Sequence, residues 1–281
     1  MLVVLGALFF AYWIALPVTT AMVATHGSGS SAVELDFGPE TEQVELKTDD
    51  GQTLSASFVP PRNGAAVITY PAREWTATES KMLARSGFGV LALDMRGYGR
   101  SEGDRNAFGW GSTSDIDAAV DFLSEQESVR AIGGFGQSVG GELMIEAAAT
   151  NDRIAAVVSE GAGERSYREM LIRGPAAALA IPQAMVLSAS VALLTGDTPP
   201  PPLDELAARI SPRALLLING TAGSGGEELT ADYFASAGEP KELWTIENGG
   251  HTTGIVDEPD EYPRRVKDFF KRHLVRPARN R

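Results

Sequence analysis

The chain has 281 residues, 43% of them hydrophobic and 22% charged, which suits one large domain with a full hydrophobic core. It carries 24 lysines and arginines against 37 aspartates and glutamates, a net charge of −13 at pH 7. Such an acidic surface repels phosphate backbones, so no nucleic-acid partner is expected. The lack of cysteine excludes disulfides and thiolate metal sites.

The first 25 residues carry no charged side chain. Residues 2–24 are long enough to cross a bilayer, which takes about 20 apolar residues. A cleaved signal peptide or a buried core helix would share this pattern. A signal peptide normally opens with basic residues, however, and the first basic residue here is Lys47. The pattern favours an uncleaved transmembrane anchor and tether over residues 1–30, ahead of one folded domain over residues 31–281.

Residues 26–31 are rich in glycine and serine, which indicates a flexible tether in which His26 is solvated. No lysine or arginine lies close to the apolar segment, so the positive-inside rule gives little guidance on orientation. An acidic flank follows the segment and favours a domain outside the cytoplasm. Its members are Glu34, Asp36, Glu40 and Glu42.

Apolar runs and alternating patterns predict a series of strands at residues 44–48, 54–59, 65–70, 89–95, 129–135, 154–158, 214–218 and 242–246. Helical spacing lies between and after them, at residues 76–85 and 115–123, directly after residue 138, and at residues 263–274. This alternation predicts the α/β class, with a mostly parallel central sheet, helices on both faces and an antiparallel hairpin at its start. Functional residues of such sheets lie at the carboxyl ends of the strands.

Residues 163–203 break the alternation. Within them, residues 175–196 carry no charge, and four prolines follow at 199–202. A second membrane span is one interpretation, but Pro182 and Gln183 count against it. We favour a helical cap insertion whose apolar face lines an acyl pocket. Plain packing against the core and contact of the cap with lipid are the other interpretations.

The strand at residues 129–135 runs into Gly136-Gln137-Ser138-Val139-Gly140, and a helical pattern follows at once. Strand, G-x-S-x-G and helix in this order form the context of a nucleophile elbow, whose strained turn presents the serine oxygen. The glycines two residues before and after the serine avoid collision with the strand and helix. Ser138 is the predicted nucleophile, and the helix start directs N–H groups at negative charge beside it.

Three motifs give the chain a resemblance to the α/β-hydrolase family over roughly residues 44–274. They are the elbow motif, Asp94-Met95-Arg96-Gly97-Tyr98-Gly99-Arg100-Ser101 and Gly249-Gly250-His251-Thr252. In that family the first and third motifs supply catalytic residues, and the middle one is mainly a structural loop. The resemblance implies an α/β-hydrolase fold. It also implies a serine hydrolase that cleaves an ester or related acyl bond through a Ser-His-acid triad and an acyl-enzyme intermediate.

His251 is the predicted base among the three histidines, His26, His251 and His273. It lies between the last strand and the last helix, and its place after Ser138 follows the family order. Imidazole suits the task because it can take the serine proton and return it to the leaving group. His273 lies in the terminal helix without a motif and is expected at the surface. Asp257 is expected to be solvated.

The acid of the triad is the least regular member. In the family it usually lies three residues after the glycine that ends the penultimate strand, and Gly223 occupies that position here. The glycine-rich loop that follows would let a glutamate reach back to His251. Glu228 is the first choice and Glu227 the alternative, although both also suit the first turn of a helix. Glu160, just after the preceding strand, is a third candidate.

An oxyanion site needs two N–H groups, one of which the family takes from the residue after the nucleophile, here Val139. The other is expected from Ala72, since Pro71 has no N–H. No metal constellation or phosphate-binding loop is visible in the sequence, so no cofactor is expected. The expected partner is a small-molecule acyl substrate. A peptidase or thioesterase of the same fold is an alternative, as is a non-catalytic binding protein, which the glycine at the acid position would suit.

Overall fold

The computed structural model describes residues 2–26, 34–71, 75–165, 167–170, 177–223 and 226–275. Within these ranges one sheet contains eight strands, in the order β1-β2-β4-β3-β5-β6-β7-β8. The strands are β1 Glu42–Lys47, β2 Thr53–Val59, β3 Ala65–Tyr70, β4 Gly89–Leu93, β5 Ala131–Gln137, β6 Ile154–Glu160, β7 Ala214–Gly220 and β8 Lys241–Ile246. Antiparallel pairing joins β1 to β2 and β2 to β4, and every later pair is parallel. The predicted mostly parallel sheet with an opening hairpin is confirmed.

Helices cover both faces of the sheet. The described helices after the N-terminal segment are Ala77–Arg85, Thr113–Ser124, Val139–Thr150, Tyr167–Met170, Ile181–Thr195, Leu203–Ala207, Thr230–Ser236, Gly254–Asp257 and Glu261–Leu274, with 3-10 turns at Ala177–Leu179 and Glu227–Leu229. The central strand β3 is buried along its whole length. Ala66 and Ile68 pack with the helices of one face, whereas Ala65 and Val67 pack with those of the other. A continuous apolar strand therefore separates two cores, as a parallel sheet requires.

The N-terminal segment is helical throughout its described length, as Leu2–Phe10, a π-helical turn Ala11–Ala15, and Leu16–His26. We call it the N-terminal helix. Val4–His26 has 23 residues and contains an 18-residue stretch with a mean hydropathy of 1.8, which a membrane anchor and a signal sequence both fit. Most of its side chains are exposed, so the buried core helix considered above is excluded. His26 is the last residue of this helix and not a tether residue, because the helix ends two residues beyond the predicted end at residue 24; its side chain is exposed, as expected.

The insertion contains the 15-residue helix Ile181–Thr195, which we call the cap helix. Its apolar side was expected to line the acyl pocket. It packs instead on the N-terminal helix and on Trp110, where Ala21 and Val191 are buried together. No described residue of 163–203 lines the cavity beside Ser138. The N-terminal helix lies more than 150 residues before the cap helix along the chain, so local sequence pattern does not reveal this contact.

Candidate active site

Ser138 lies on the turn between β5 and the helix Val139–Thr150, at the carboxyl end of the sheet. Its φ of 52° and ψ of −125° are strained for a residue with a side chain. The turn is held because the Ser138 backbone N–H donates to the Glu160 carbonyl at 2.8 Å, which ties it to the end of β6. The hydroxyl is thereby presented above the sheet, as the elbow motif predicts.

Two glycines allow this turn to pack closely. A Cβ added at Gly136 would lie 2.2 Å from the Gly140 carbonyl oxygen. A Cβ added at Gly140 would lie 2.2 Å from the Tyr70 carbonyl oxygen. Both contacts are with backbone and cannot be relieved by rotating a side chain. The small residues of the motif are therefore required by the close approach of helix and strands.

The three polar side chains of the site form one hydrogen-bonded series. His251 Nε2 lies 3.0 Å from Ser138 Oγ, and His251 Nδ1 lies 2.5 Å from Glu227 Oε1. The imidazole is 37% exposed, whereas the Glu227 side chain is only 2% exposed. The series thus runs from a partly exposed hydroxyl through the imidazole to a buried carboxyl group.

The structure brings Glu227 to the imidazole and leaves Glu228, the first choice from sequence, exposed at the surface. The reason is local. Residues 227–229 form a 3-10 turn, so adjacent side chains point in directions about 120° apart. Glu227 faces the interior, with Leu229 buried beside it. The choice of Glu228 is therefore corrected to its neighbour.

Gly223 occupies the position where the acid was expected, and its lack of a side chain leaves room for the Glu227 carboxylate. A Cβ added there would lie 2.3 Å from Glu227 Oε1 and 2.5 Å from Oε2. The Glu227 carboxylate thus fills the space that a side chain at position 223 would take. Glu227, four residues after Gly223, therefore places its carboxylate where an acid at position 223 would lie.

Backbone contacts fix this carboxylate beside His251. Glu227 Oε2 accepts a hydrogen bond from the Gly220 N–H at 3.0 Å. The Ala222 N–H donates to the Gly249 carbonyl at 2.9 Å and joins the acid loop to the histidine loop. Both oxygens of the carboxylate are therefore in use, one for the imidazole and one for the end of β7.

The carboxylate also sets the basicity of the imidazole. The hydrogen bond with Glu227 raises the pKa of His251, and the negative charge of Glu227 adds to this, while partial burial acts in the opposite direction. The net shift is upward, which strengthens His251 as a proton acceptor and stabilises the imidazolium. Such a tuned base beside a hydroxyl suits nucleophilic catalysis.

Two further carboxylates hold the histidine loop. Glu160, the third candidate acid, is buried, and it accepts the Gly254 N–H at 2.9 Å, the Gln137 amide at 3.0 Å and the Tyr262 hydroxyl. Asp257 is exposed as expected, yet its Oδ2 accepts the Gly250 N–H at 3.0 Å. Their positioning role was not anticipated. The signal was present for Glu160, because a carboxylate at the end of a buried strand must find donors.

A cavity of about 290 Å³ opens beside the candidate nucleophile. Its lining is mostly apolar and consists of Pro71, Trp75, Met95, Tyr98, Ala107, Gln137, Ser138, Val139, His251 and Thr252. Val139 is the first residue of its helix, where N–H groups have no partner within the helix and can face an anion. Ala72, the second expected oxyanion donor, lies outside the described residues.

Comparison with known proteins agrees with this architecture. The sequence model of the X-Pro dipeptidyl-peptidase (S15) family matches residues 46–252. The uncharacterized protein YfhR of Escherichia coli K12 is 26% identical over 262 residues, 83% of each chain. The esterase Pf2001 of Pyrococcus furiosus matches with a TM-score of 0.69 at 21% identity, over 88% of this chain and 97% of that one. The α/β hydrolase GrgF from Penicillium sp. sh18 gives 0.65 at 22% identity, over 84% and 99%. At 21% and 22% identity, these two structural similarities establish the fold of the chain and not its activity.

Proposed function

The chain belongs to the X-Pro dipeptidyl-peptidase (S15) family within the α/β hydrolases, and from that premise we propose that it is a serine hydrolase of carboxylic esters. Ser138 is the nucleophile, His251 the general base and Glu227 the acid that orients it. The observation that carries this proposal is the hydrogen-bonded series of the three side chains, with Ser138 on a strained elbow. Serine-type hydrolysis is supported by the family.

The chemistry follows from the geometry. Ser138 Oγ attacks the acyl carbonyl while His251 Nε2 takes its proton, and Glu227 stabilises the imidazolium that forms. The Val139 N–H faces the oxyanion of the tetrahedral intermediate. His251 then gives the proton to the departing alcohol, which leaves an acyl-enzyme. Water, deprotonated by His251, attacks the acyl carbonyl, and the proton returns to Ser138 as the acid is released.

The lining of the cavity favours esters over peptides. Among its described residues none carries a carboxylate, the group that would best bind the protonated amino terminus of a dipeptidyl-peptidase substrate. Trp75, Met95 and Tyr98 offer apolar and aromatic contact to an acyl chain instead. Cleavage after an X-Pro dipeptide is the second candidate, since the family match favours it.

The proposed organisation is an anchor and tether over residues 1–30, a catalytic domain over 31–281 and a cap insertion over 163–203. Val4–His26 supports the anchor, because it is long and apolar enough to cross a membrane. The acidic flank that follows the apolar segment is the feature that supports a domain outside the cytoplasm.

The test is hydrolysis by the purified full chain. It uses p-nitrophenyl esters of increasing acyl length and, in parallel, fluorogenic X-Pro dipeptide amides. We expect ester turnover that falls by more than about a thousandfold in Ser138→Ala, because this substitution removes the hydroxyl that forms the acyl-enzyme. Ser128→Ala, at an exposed serine before β5, is the matched control. Preference for X-Pro amides would support the second candidate, and undiminished turnover by Ser138→Ala would remove the mechanism.

A further inference from the structure

The cap helix runs beside two parts of the N-terminal helix, the turn Ala11–Ala15 and the segment Leu16–His26. The Gln183 side-chain amide donates to the Tyr12 carbonyl at 2.9 Å, which sets residue 183 level with residue 12. Further along, Val191 is buried against Ala21. Residue numbers increase together along the two helices, so the helices are parallel.

This pairing fixes the depth of the cap helix. Val4–His26, at about 1.5 Å per residue, is roughly 34 Å long, close to the hydrocarbon thickness of about 30 Å. Residues 12 and 21 lie about 12 and 26 Å from its start by the same rise. If the N-terminal helix crosses a bilayer, the cap helix from Gln183 to Val191 lies within the same hydrocarbon layer.

The outward face of the cap helix matches that environment. Its exposed residues include Pro182, Met185, Ala189 and Leu193, which are three or four residues apart and share one side. Met185 is 50% exposed and Leu193 is 87% exposed. A helix on a protein surface in water presents polar residues on this side, whereas the cap helix presents apolar ones.

The polar side chains of the cap helix are buried or have hydrogen-bond partners within the protein. Ser188 is buried, the Ser190 hydroxyl donates to the Val186 carbonyl at 2.7 Å, and Gln183 donates to the neighbouring helix. Residues 177–196 carry no charge. Satisfied polar groups on the inside and an uncharged apolar outside are what hydrocarbon demands of a helix.

The C-terminal end of the N-terminal helix is bonded to a residue that lines the active-site cavity. The Ala107 N–H donates to the Ala24 carbonyl at 3.1 Å, and Ala107 lines the cavity with Ser138. Trp75, which is 47% exposed, lies at the same cavity with its ring 6.3 Å from that of Tyr98. Aromatic side chains of this kind concentrate at the level of lipid headgroups.

We propose that the cap helix and the N-terminal helix enter the bilayer together and hold the cavity at the membrane surface, where it takes acyl esters directly from the lipid phase. The occupant of the exposed apolar face is the acyl chains of the bilayer. The substrate class rests on the proposed ester hydrolase, whereas the placement of the cap helix does not.

The lack of native cysteine allows single-site probes in the full chain. Met185→Cys, Leu8→Cys and, as an aqueous control before β5, Ser128→Cys would each carry a bimane label in phosphatidylcholine vesicles. We expect the probes at positions 185 and 8 to be quenched by lipids with nitroxide-labelled acyl chains and shielded from iodide. The probe at position 128 should show the reverse.

Two other outcomes at position 185 would overturn the inference. Iodide quenching at position 185 with lipid quenching at position 8 would keep the anchor and overturn the inference. Shielding of position 185 from both quenchers would mean that protein, such as a second copy of the chain, covers the face, which also overturns it.

The substrate class has a separate readout. Met185→Lys should lower hydrolysis of a long-chain ester held in vesicles by about tenfold or more, because lysine is disfavoured within hydrocarbon. Hydrolysis of water-soluble p-nitrophenyl acetate should stay unchanged. Equal effects on the two esters would contradict delivery from the bilayer. If the parent chain cleaves neither ester, the proposed function fails and the quenching result still stands.

Discussion

Glu227→Gln is the substitution that separates the proposed acid from its neighbours. The carboxylate accepts two N–H groups, from His251 at Oε1 and from Gly220 at Oε2. An amide of the same shape has only one accepting oxygen. If that oxygen stays on Gly220, the amide N–H₂ faces Nδ1 and the imidazole must carry its proton on Nε2. It then points a hydrogen at Ser138 and cannot take the serine proton.

The magnitude follows from this change of tautomer. Loss of the correct tautomer in a serine triad lowers kcat by about 10⁴-fold, or about 5.4 kcal/mol of transition-state stabilisation. The surrounding shape is preserved, so the fold should be unaffected. We expect kcat of the Glu227→Gln variant on a short p-nitrophenyl ester to fall by about 10³- to 10⁴-fold, with an unchanged circular dichroism spectrum.

The matched control is Glu228→Gln, since this adjacent carboxylate is exposed and should leave kcat within about twofold, as surface changes do. The assay compares both variants with the parent chain at pH 8. A loss below about tenfold for Glu227→Gln, or a larger loss for Glu228→Gln, would refute the assignment of the acid.

Three further outcomes follow from the site. Only neutral His251 accepts a proton, and Glu227 raises its pKa, so kcat/KM should rise with pH through a midpoint above the ordinary histidine value of about 6.5. That midpoint should move to lower pH in Glu227→Gln, and a parent midpoint below that value would contradict the account. Adding Gly223→Asp to Glu227→Gly should raise kcat about tenfold or more over Glu227→Gly alone, since position 223 points at the same space; no recovery would count against this geometry. Gly136→Ala should destabilise the fold by about 1–3 kcal/mol in denaturant unfolding, because its Cβ would meet the Gly140 carbonyl; an unchanged midpoint would refute this packing.

Much of the fold and part of the site were readable from sequence, for a physical reason. Buried parallel strands are continuous apolar runs, so β3 was predicted with its observed bounds. The elbow motif around Ser138 and the glycines before His251 are local patterns whose spacing carries their structure. The contact between these two side chains follows once strand order is set, because both lie at the carboxyl edge of the sheet.

The identity of the acid and the packing of the cap helix depend on side-chain directions and long-range contacts, which the spacing of residues in the sequence does not encode. Glu227 and Glu228 are adjacent residues of the same type, so the sequence does not distinguish them. The 3-10 turn points their side chains in different directions, and only Glu227 contacts His251. The place of the cap helix was missed because its contacts, such as Gln183 with Tyr12, join distant parts of the chain.

The central claim is that Ser138 is an activated nucleophile in this chain. The most direct measurement is labelling of the folded full chain with a fluorophosphonate, followed by mass-spectrometric mapping of the modified peptide. We predict a single adduct on Ser138, greatly slowed by His251→Ala and absent in Ser138→Ala. A folded chain that takes up no label, or an adduct on a different residue, would contradict the account.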